Sequence, residues 1–218
     1  NMSDSFFVQL GIQDPDLNLE VGSGTVAEQI SKIMIGYEKV LSNSPSILCI
    51  VVGDVTSTMA CAITAKNFNI PVAHVEGGIR SGDLSMPEEI NRIVTDSITD
   101  WFFTTSETAN NNLKSFGIKN DQIFFVGNTM VDTLLVNIKN FIQPAFFNEM
   151  SLQKDNYIVL TLHRPNNVDG LDNFILLLEA IAHSAKGMPI IFPAHPRTAK
   201  NLESIKRLPN NIILINPQ

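Results

Sequence analysis

The chain has little with which to build a disulfide framework, a nucleic-acid surface or a membrane span. Its 218 residues include two cysteines, Cys49 and Cys61, whose separation matches neither a metal-ligand pair nor a cross-linked scaffold. Cys49 lies inside an apolar run and Cys61 in the helical pattern after it, so both read as core residues. Basic side chains are outnumbered: 15 Lys and Arg stand against 22 Asp and Glu, a formal charge of −7, and no stretch gathers cations into a stripe that would neutralise a phosphate backbone. No nucleic-acid partner is expected. The longest apolar run, Ile47 to Val52, is far shorter than the ~20 residues a bilayer span requires, and the N-terminus has neither the basic start nor the apolar core of a signal peptide. The chain therefore reads as a soluble, cytoplasmic protein without a membrane partner. What it does have is apolar material, 44% of residues against 17% charged, with a mean hydropathy of +0.11. That suffices for one large core or two small ones and excludes intrinsic disorder.

The pattern alternates. A possible helix and a turn at Asp14-Pro15-Asp16 open the chain, and Gly22-Ser23-Gly24-Thr25 leads into a helix over Val26 to Leu41. Strands are expected at Ser46 to Val52, Ile70 to Val75, Trp101 to Thr104 and Gln122 to Val126. Helices are expected at Thr58 to Asn67, Glu107 to Phe116 and Val131 to Phe141, and from Pro87 onward with Ile90, Ile93, Val94 and Ile98 on one face. Periodicity then breaks over 143–156 and resumes. Strands at Tyr157 to Leu162, Pro189 to Ala194 and Ile212 to Ile215 are separated by helices at Leu171 to Ser184 and Thr198 to Leu208. Strands and helices in this order argue for an α/β fold of two Rossmann-like domains with parallel sheets: residues 1–142, a linker 143–156, and 157–218. Three strands are half of the usual mononucleotide-binding sheet, so the second domain is expected to be incomplete and the chain an internal piece of a longer protein.

In such sheets ligands sit beyond the carboxyl ends of the strands, which makes the residues just after each apolar run informative. Gly53-Asp54-Val55-Thr56 follows the first, where Asp54 either aims a carboxylate into the crevice or caps the next helix. His74-Val75-Glu76-Gly77-Gly78-Ile79-Arg80 follows the second, with an acid and a base beside two glycines that let backbone approach a ligand. Met86-Pro87-Glu88-Glu89-Ile90-Asn91-Arg92 opens a helix. There acids are ordinary dipole complements, and Glu88, Arg92 and Asp96 at four-residue steps form a solvated ion-pair ridge if they do nothing more. His163-Arg164 and His195-Pro196-Arg197 follow two strands of the second sheet, a placement suited to an anionic ligand. His183, late in a helix, is more simply a dipole partner. Three carboxylates from one sheet and two His/Arg pairs from the other suit acid/base work on a phosphorylated substrate.

The strings His74 to Asp83, Met86 to Asp96 and Val126 to Leu134, with Gly53-Asp54-Val55-Thr56, His163-Arg164 and His195-Pro196 at matching places, closely resemble the non-hydrolysing UDP-N-acetylglucosamine 2-epimerases over essentially the whole chain. The resemblance implies a GT-B-like architecture with the active site in the cleft, a homodimer, and no cofactor or metal. It implies interconversion of UDP-GlcNAc and UDP-ManNAc by elimination and re-addition of UDP. Carried onto this sequence, the catalytic residues are Asp54, Glu76, Glu88 and His163, and the substrate-binding residues Arg80, Asn91, Arg92, Arg164 and His195. Which carboxylate is acid and which base stays open. Two departures stand out: the family's N-terminal strand with its Gly-Thr-Arg-Pro-like turn and its C-terminal Ser-Gly-Gly segment are absent, and Pro165 stands where many members carry a second basic residue. Weighed beside this reading are a hydrolysing 2-epimerase that releases UDP and ManNAc, a GT-B glycosyltransferase, and a non-catalytic UDP-sugar-binding module.

Overall fold

Short apolar runs rich in β-branched residues, each followed by an amphipathic stretch, fold here as parallel strands joined by helices. The computed structural model describes residues 7, 10–162, 170–194, 196–202, 205 and 208–216. The chain divides into two compact units, Asn1–Asn140 and Phe141–Gln218.

The first unit carries α1 (Val26–Asn43), β1 (Cys49–Val52), α2 (Thr56–Asn67), β2 (Val72–Val75), α3 (Pro87–Ile98), β3 (Trp101–Thr104), α4 (Glu107–Ser115), β4 (Ile123–Phe125) and α5 (Thr129–Asn137). Helix α1 starts where Thr25 and Glu28 form a reciprocal capping box, the Glu28 carboxylate accepting from the Thr25 amide at 2.7 Å. The sheet order is β1-β2-β3-β4, all parallel, with Val51 opposite His74 and Val52 opposite Val75. This register sets the two site-bearing turns side by side, because Gly53 and Glu76 leave adjacent strands at the same level. One core cluster joins Leu41, Cys49, Val51, Ala62, Ala65, Ile70 and Val72, with Cys61 and Tyr37 against it. Both cysteines are thus placed as the sequence suggested. Burial and the charge of its neighbour Cys49 push the Cys61 thiol up to about 11.

The second unit carries α6 (Ala145–Glu149), β5 (Ile158–Val159), α7 (Leu171–Ser184), β6 (Ile190–Pro193), α8 (Pro196–Leu202) and β7 (Ile212–Ile215). Its parallel sheet runs β5-β6-β7 over a core of Phe174, Leu178, Ile190, Phe192 and Ile212. The stretch read as linker, 143–156, holds the short helix α6 and groups with this unit. Among the described residues no helix is long and apolar enough to cross a membrane.

One helix faces differently from its periodicity. Ile90, Ile93, Val94 and Ile98 share one face of α3, but of these four Ile98 alone packs against the buried core cluster of the first unit. Instead the helix buries Glu89, Asn91, Thr95 and Asp96 and leaves Ile90 46% exposed. The reason is what α3 meets: its polar side reaches the turns after β1 and β2, where backbone groups and a histidine need partners, so hydrogen bonding outweighs hydrophobic pattern in orienting it. Boundaries elsewhere shift by a few residues. The helix expected at Val131 to Phe141 is α5 followed by a 3-10 turn at Ile138–Asn140, and the one expected at Thr198 to Leu208 is α8.

Candidate active site

The site is built on the first unit at the turns that follow β1 and β2 and at the N-terminal half of α3. After β1 the chain turns through Gly53, whose φ of +68° lies in the left-handed region that favours glycine. The Gly53 amide donates to the Val75 carbonyl at 3.0 Å. Asp54 does not cap the following helix: the N-cap of α2 is Val55, and no side chain caps it. The Asp54 carboxylate is bonded by the Arg92 guanidinium, and the Asp54 carbonyl accepts from Asn91 Nδ2 at 2.8 Å. The capping alternative therefore falls.

After β2, Glu76 holds φ +71°, a conformation costly for a residue with a side chain and one that concentrates at functional sites. Its amide is tied to the Phe103 carbonyl at 2.9 Å. Its carboxylate reaches back toward the first turn, with Oε2 4.0 Å from where a Cβ on Gly53 would stand. Asp54 and Glu88 line one cavity of about 390 Å3, together with Thr56, Ser57, Pro87 and Asn91. The carboxylates of Glu76 and Glu88 make no hydrogen bond or ion pair among the described residues, and Glu88 is exposed. The ridge reading of Glu88 is corrected accordingly. Arg92 turns to Asp54 and Glu89, and Asp96 is buried elsewhere, so Glu88 has no helical partner.

Beneath the turns lies a buried polar layer. His74 is fully buried and its ring spans two groups, Asp96 Oδ1 at 2.7 Å from Nδ1 and the Gly53 carbonyl at 2.8 Å from Nε2. A carbonyl only accepts, so Nε2 carries a proton. Asp96 Oδ2 accepts from the Gly78 amide at 3.0 Å and pairs with Arg80 Nη1 at 2.7 Å. Gly77 and Gly78 do not make room for a ligand, as the sequence suggested. A Cβ on Gly77 would meet the Phe102 ring at 3.0 Å, and one on Gly78 the Ala109 carbonyl at 2.6 Å, so both glycines admit close packing of protein on protein.

Two further acids organise the site, neither of them among the site residues expected from the sequence. Glu89, 2% exposed, accepts from the amides of Ser81 at 2.8 Å and Gly82 at 3.1 Å and from Arg92 Nη1 at 3.0 Å. Burial pushes its carboxyl up, but these donors outweigh burial and hold it down at about 2. The signal for Glu89 was its place three residues before Arg92, a spacing that puts both on one helix face. Asp96 was read as part of an exposed ridge, and only its distance from His74 in sequence hid the pair.

Arg92 and Arg80, two of the cations expected to bind substrate, are paired within the protein. Arg92, 14% exposed at its side chain, is shared by Asp54 and Glu89. Arg80 is shared by Asp96 and the Ile79 carbonyl, and it stacks on Phe116 at 5.2 Å. Asn91 is spent on the Asp54 carbonyl. His163, Arg164 and His195 lie outside the described residues. Among the described residues no group of three or more His, Cys, Asp or Glu side chains is arranged to hold a metal ion.

The family model described as UDP-N-acetylglucosamine 2-epimerase matches residues 1–218. The chain belongs to that family. It is 44% identical over 209 residues to the UDP-N-acetylglucosamine 2-epimerase of Methanocaldococcus jannaschii, covering 93% of this chain and 57% of the relative. It is 36% identical over 208 residues to the UDP-2,3-diacetamido-2,3-dideoxy-D-glucuronate 2-epimerase of Pseudomonas aeruginosa, covering 94% of this chain and 58% of that one. The crystal structure of the Methanocaldococcus jannaschii UDP-GlcNAc 2-epimerase in complex with UDP-GlcNAc and UDP superposes with a TM-score of 0.83 at 39% identity, over 98% of this chain and 61% of the other. The chain thus spans about three fifths of the length of these epimerases. Its fold is α/β and GT-B-like, with Rossmann-like units carrying parallel sheets.

Proposed function

We propose that the whole protein is a non-hydrolysing UDP-N-acetylglucosamine 2-epimerase, a cytoplasmic enzyme that acts as a homodimer and needs no metal or redox cofactor. The observation that carries the reading is the grouping of three carboxylates at adjacent strand and helix ends. Asp54 and Glu88 border one cavity, and Glu76 reaches over Gly53 beside them. Inverting C2 requires a proton taken from one face of the ring and returned to the other, which needs more than one carboxylate at the carbon. One carboxylate removes the C2 proton, the C2–H electron pair forms the C1–C2 double bond, and the C1–O bond breaks to release UDP. Re-addition of UDP at C1 with protonation of C2 from the opposite face gives the epimer. His163 and Arg164 are assigned to the departing diphosphate by resemblance, since charge develops on UDP as it leaves, and His195 to substrate binding. Arg92, Asn91 and Arg80 are given a supporting role at Asp54 and Asp96, because Arg92 and Arg80 pair with those carboxylates and Asn91 donates to the Asp54 carbonyl.

The test is turnover of UDP-GlcNAc by the whole protein in deuterium oxide. Deuterium at C2 of a UDP-ManNAc product supports the reading, and epimer that keeps its original hydrogen overturns the proton-transfer step. Free N-acetylmannosamine in place of UDP-ManNAc identifies the hydrolysing reaction. Turnover confined to UDP-2,3-diacetamido-2,3-dideoxy-D-glucuronate, the sugar in the Pseudomonas aeruginosa relative's name, moves the substrate but not the chemistry. Asp54→Asn, Glu76→Gln and Glu88→Gln are each expected to lower kcat by about 10²–10⁴-fold, the usual worth of a general acid or base. For Glu88 normal turnover would return that residue to a surface role.

A further inference from the structure

The carboxylate that the proposed reaction uses at Asp54 is not held by its own turn. Its only side-chain bond among the described residues comes from Arg92, on another element 38 positions along the chain. Arg92 in turn has a second carboxylate partner, Glu89, through its other terminal nitrogen at 3.0 Å. Glu89 is anchored by backbone, the amides of Ser81 and Gly82. A continuous line of bonds therefore runs from the 81–82 turn through Glu89 and Arg92 to Asp54. Asn91, the residue before Arg92, fixes the Asp54 carbonyl at 2.8 Å.

The chemistry of the line is specific. Arginine presents its donors in a rigid planar fork, so one carboxylate fixed on one prong determines where the other prong points. Glu89 is 2% exposed and sits three residues before Arg92 on the same helix, so its position follows the helix and the backbone anchors, not solvent. Asp54 is the partner with freedom, its side chain 32% exposed at the cavity rim. The rigid end thus orients the free end.

Resting on the epimerase reading, we infer that Glu89 is a positioning residue for catalysis: by clamping one prong of the Arg92 guanidinium it aims the other at Asp54 and sets the direction of the Asp54 carboxylate toward the sugar. Glu89 is not itself one of the residues that line the cavity. Without the clamp Arg92 can turn both prongs to Asp54 and draw it away from the sugar. A misplacement of about 1 Å at a proton-transfer group is enough to cost on the order of 10²-fold in rate.

The experiment is a two-by-two comparison in the whole protein: wild type, Glu89→Gln, Arg92→Gln and the double variant, each assayed with UDP-GlcNAc and titrated with UDP. Glu89→Gln is expected to lower kcat on the order of 10²-fold while KM and the UDP dissociation constant stay near wild type. In the Arg92→Gln background the same change is expected to cost nothing further, because Glu89 acts only through Arg92. An equal loss in both backgrounds, or undiminished kcat in folded Glu89→Gln, overturns the inference. A parallel loss of UDP affinity in Arg92→Gln also overturns it, since Arg92 would then be a diphosphate ligand. A second arm needs no substrate and no Glu89 variant. Hydrogen exchange at the Ser81 and Gly82 amides is expected to quicken in Arg92→Gln, although Arg92 is hydrogen-bonded to Glu89 and Asp54 and to neither of these two residues, because Glu89 loses its counter-charge. Unchanged exchange there breaks the line of bonds. Wild-type protein without UDP-GlcNAc turnover defeats the functional reading and leaves the exchange arm to judge the relay.

Discussion

At the scale of single residues the site separates into carboxylates with partners and carboxylates without. Asp54 and Glu89 are bonded to Arg92, and Asp96 to His74, Arg80 and Gly78, whereas Glu76 and Glu88 stand free of partners among the described residues. A carboxylate committed to an arginine and two amides is a structural anion. One left unbonded, at the cavity rim in the case of Glu88 and in a costly backbone conformation in the case of Glu76, has its bonding capacity available to a ligand. Glu89 makes the contrast measurable through pH. Its carboxyl is held at about 2 in the folded protein against an ordinary 4.5. Between those values the unfolded chain binds the proton and the folded one does not, so stability rises with pH through that window and is lost as pH falls toward about 2. Denaturant unfolding of wild type and Glu89→Gln at pH 6, 4.5, 3.5 and 2.5 is expected to show a shallower acid loss in the variant. Parallel curves would mean that Glu89 is not held as an anion. The sequence displayed this residue as one of two adjacent acids at a helix start, which is how ordinary dipole complements look. The three-residue step to Arg92 is a local hint, but Glu88 stands four residues before the same arginine, so the distinction between the buried acid and the exposed one is made by the 81–82 backbone.

At the scale of elements, three pieces of structure converge: two strand-end turns and one helix. The strand ends were legible because apolar runs end abruptly in Gly53-Asp54 and Glu76-Gly77-Gly78, and a parallel sheet places such ends on one edge. The facing of α3 was not. Its apolar stripe gives a clear periodicity, yet Asn91 and Asp96 are buried because they satisfy the Asp54 carbonyl, His74 and the Gly78 amide. Hydrophobic periodicity counts apolar residues and is blind to polar groups that the neighbouring turns require. The turn after β2 is correspondingly tight. Gly78 has φ +83°, and a Cβ there would stand 2.6 Å from the Ala109 carbonyl and 2.8 Å from Leu113 Cγ on α4. Gly82 has φ +74° with open space around it. Both Gly→Ala changes incur the left-handed penalty of roughly 1–2 kcal/mol, and Gly78→Ala adds overpacking of about 1–3 kcal/mol. Thermal or denaturant unfolding is therefore expected to rank Gly78→Ala well below Gly82→Ala, with Gly78→Ala also losing turnover as Glu76 shifts. Equal stabilities would show that α4 yields to the added methyl group.

At the scale of the whole molecule, the order of strands and helices and the parallel sheets could be read in advance, since period and punctuation are local properties of sequence. Placement within the second unit was less legible. The run Tyr157 to Leu162 is a strand only over Ile158–Val159, with the Leu160 amide still donating to the Ile191 carbonyl at 2.9 Å, and the stretch 143–156 holds a helix that its composition did not announce. A strand's length depends on its partner's hydrogen bonds, and those are not in its own residues. The described cores nevertheless divide cleanly, one around Leu41, Val51 and Val72 and the other around Phe174, Phe192 and Ile212, with no residue in common. Apolar contact is the main stabilising term in each, so each core is expected to set the stability of its own unit. Phe174, fully buried on α7, tests this. Phe174→Ala removes a ring from a close-packed site, a change that costs about 3–5 kcal/mol where the cavity does not collapse. Native-state hydrogen exchange on the variant is expected to lower protection at Ile158, Ile191 and Leu214 while leaving Val51, Val72 and Phe102 as in the wild type. An equal loss at both sets of amides would mean that the two units unfold as one cooperative body, and the carboxylate cluster of the first unit would then owe its stability to the second.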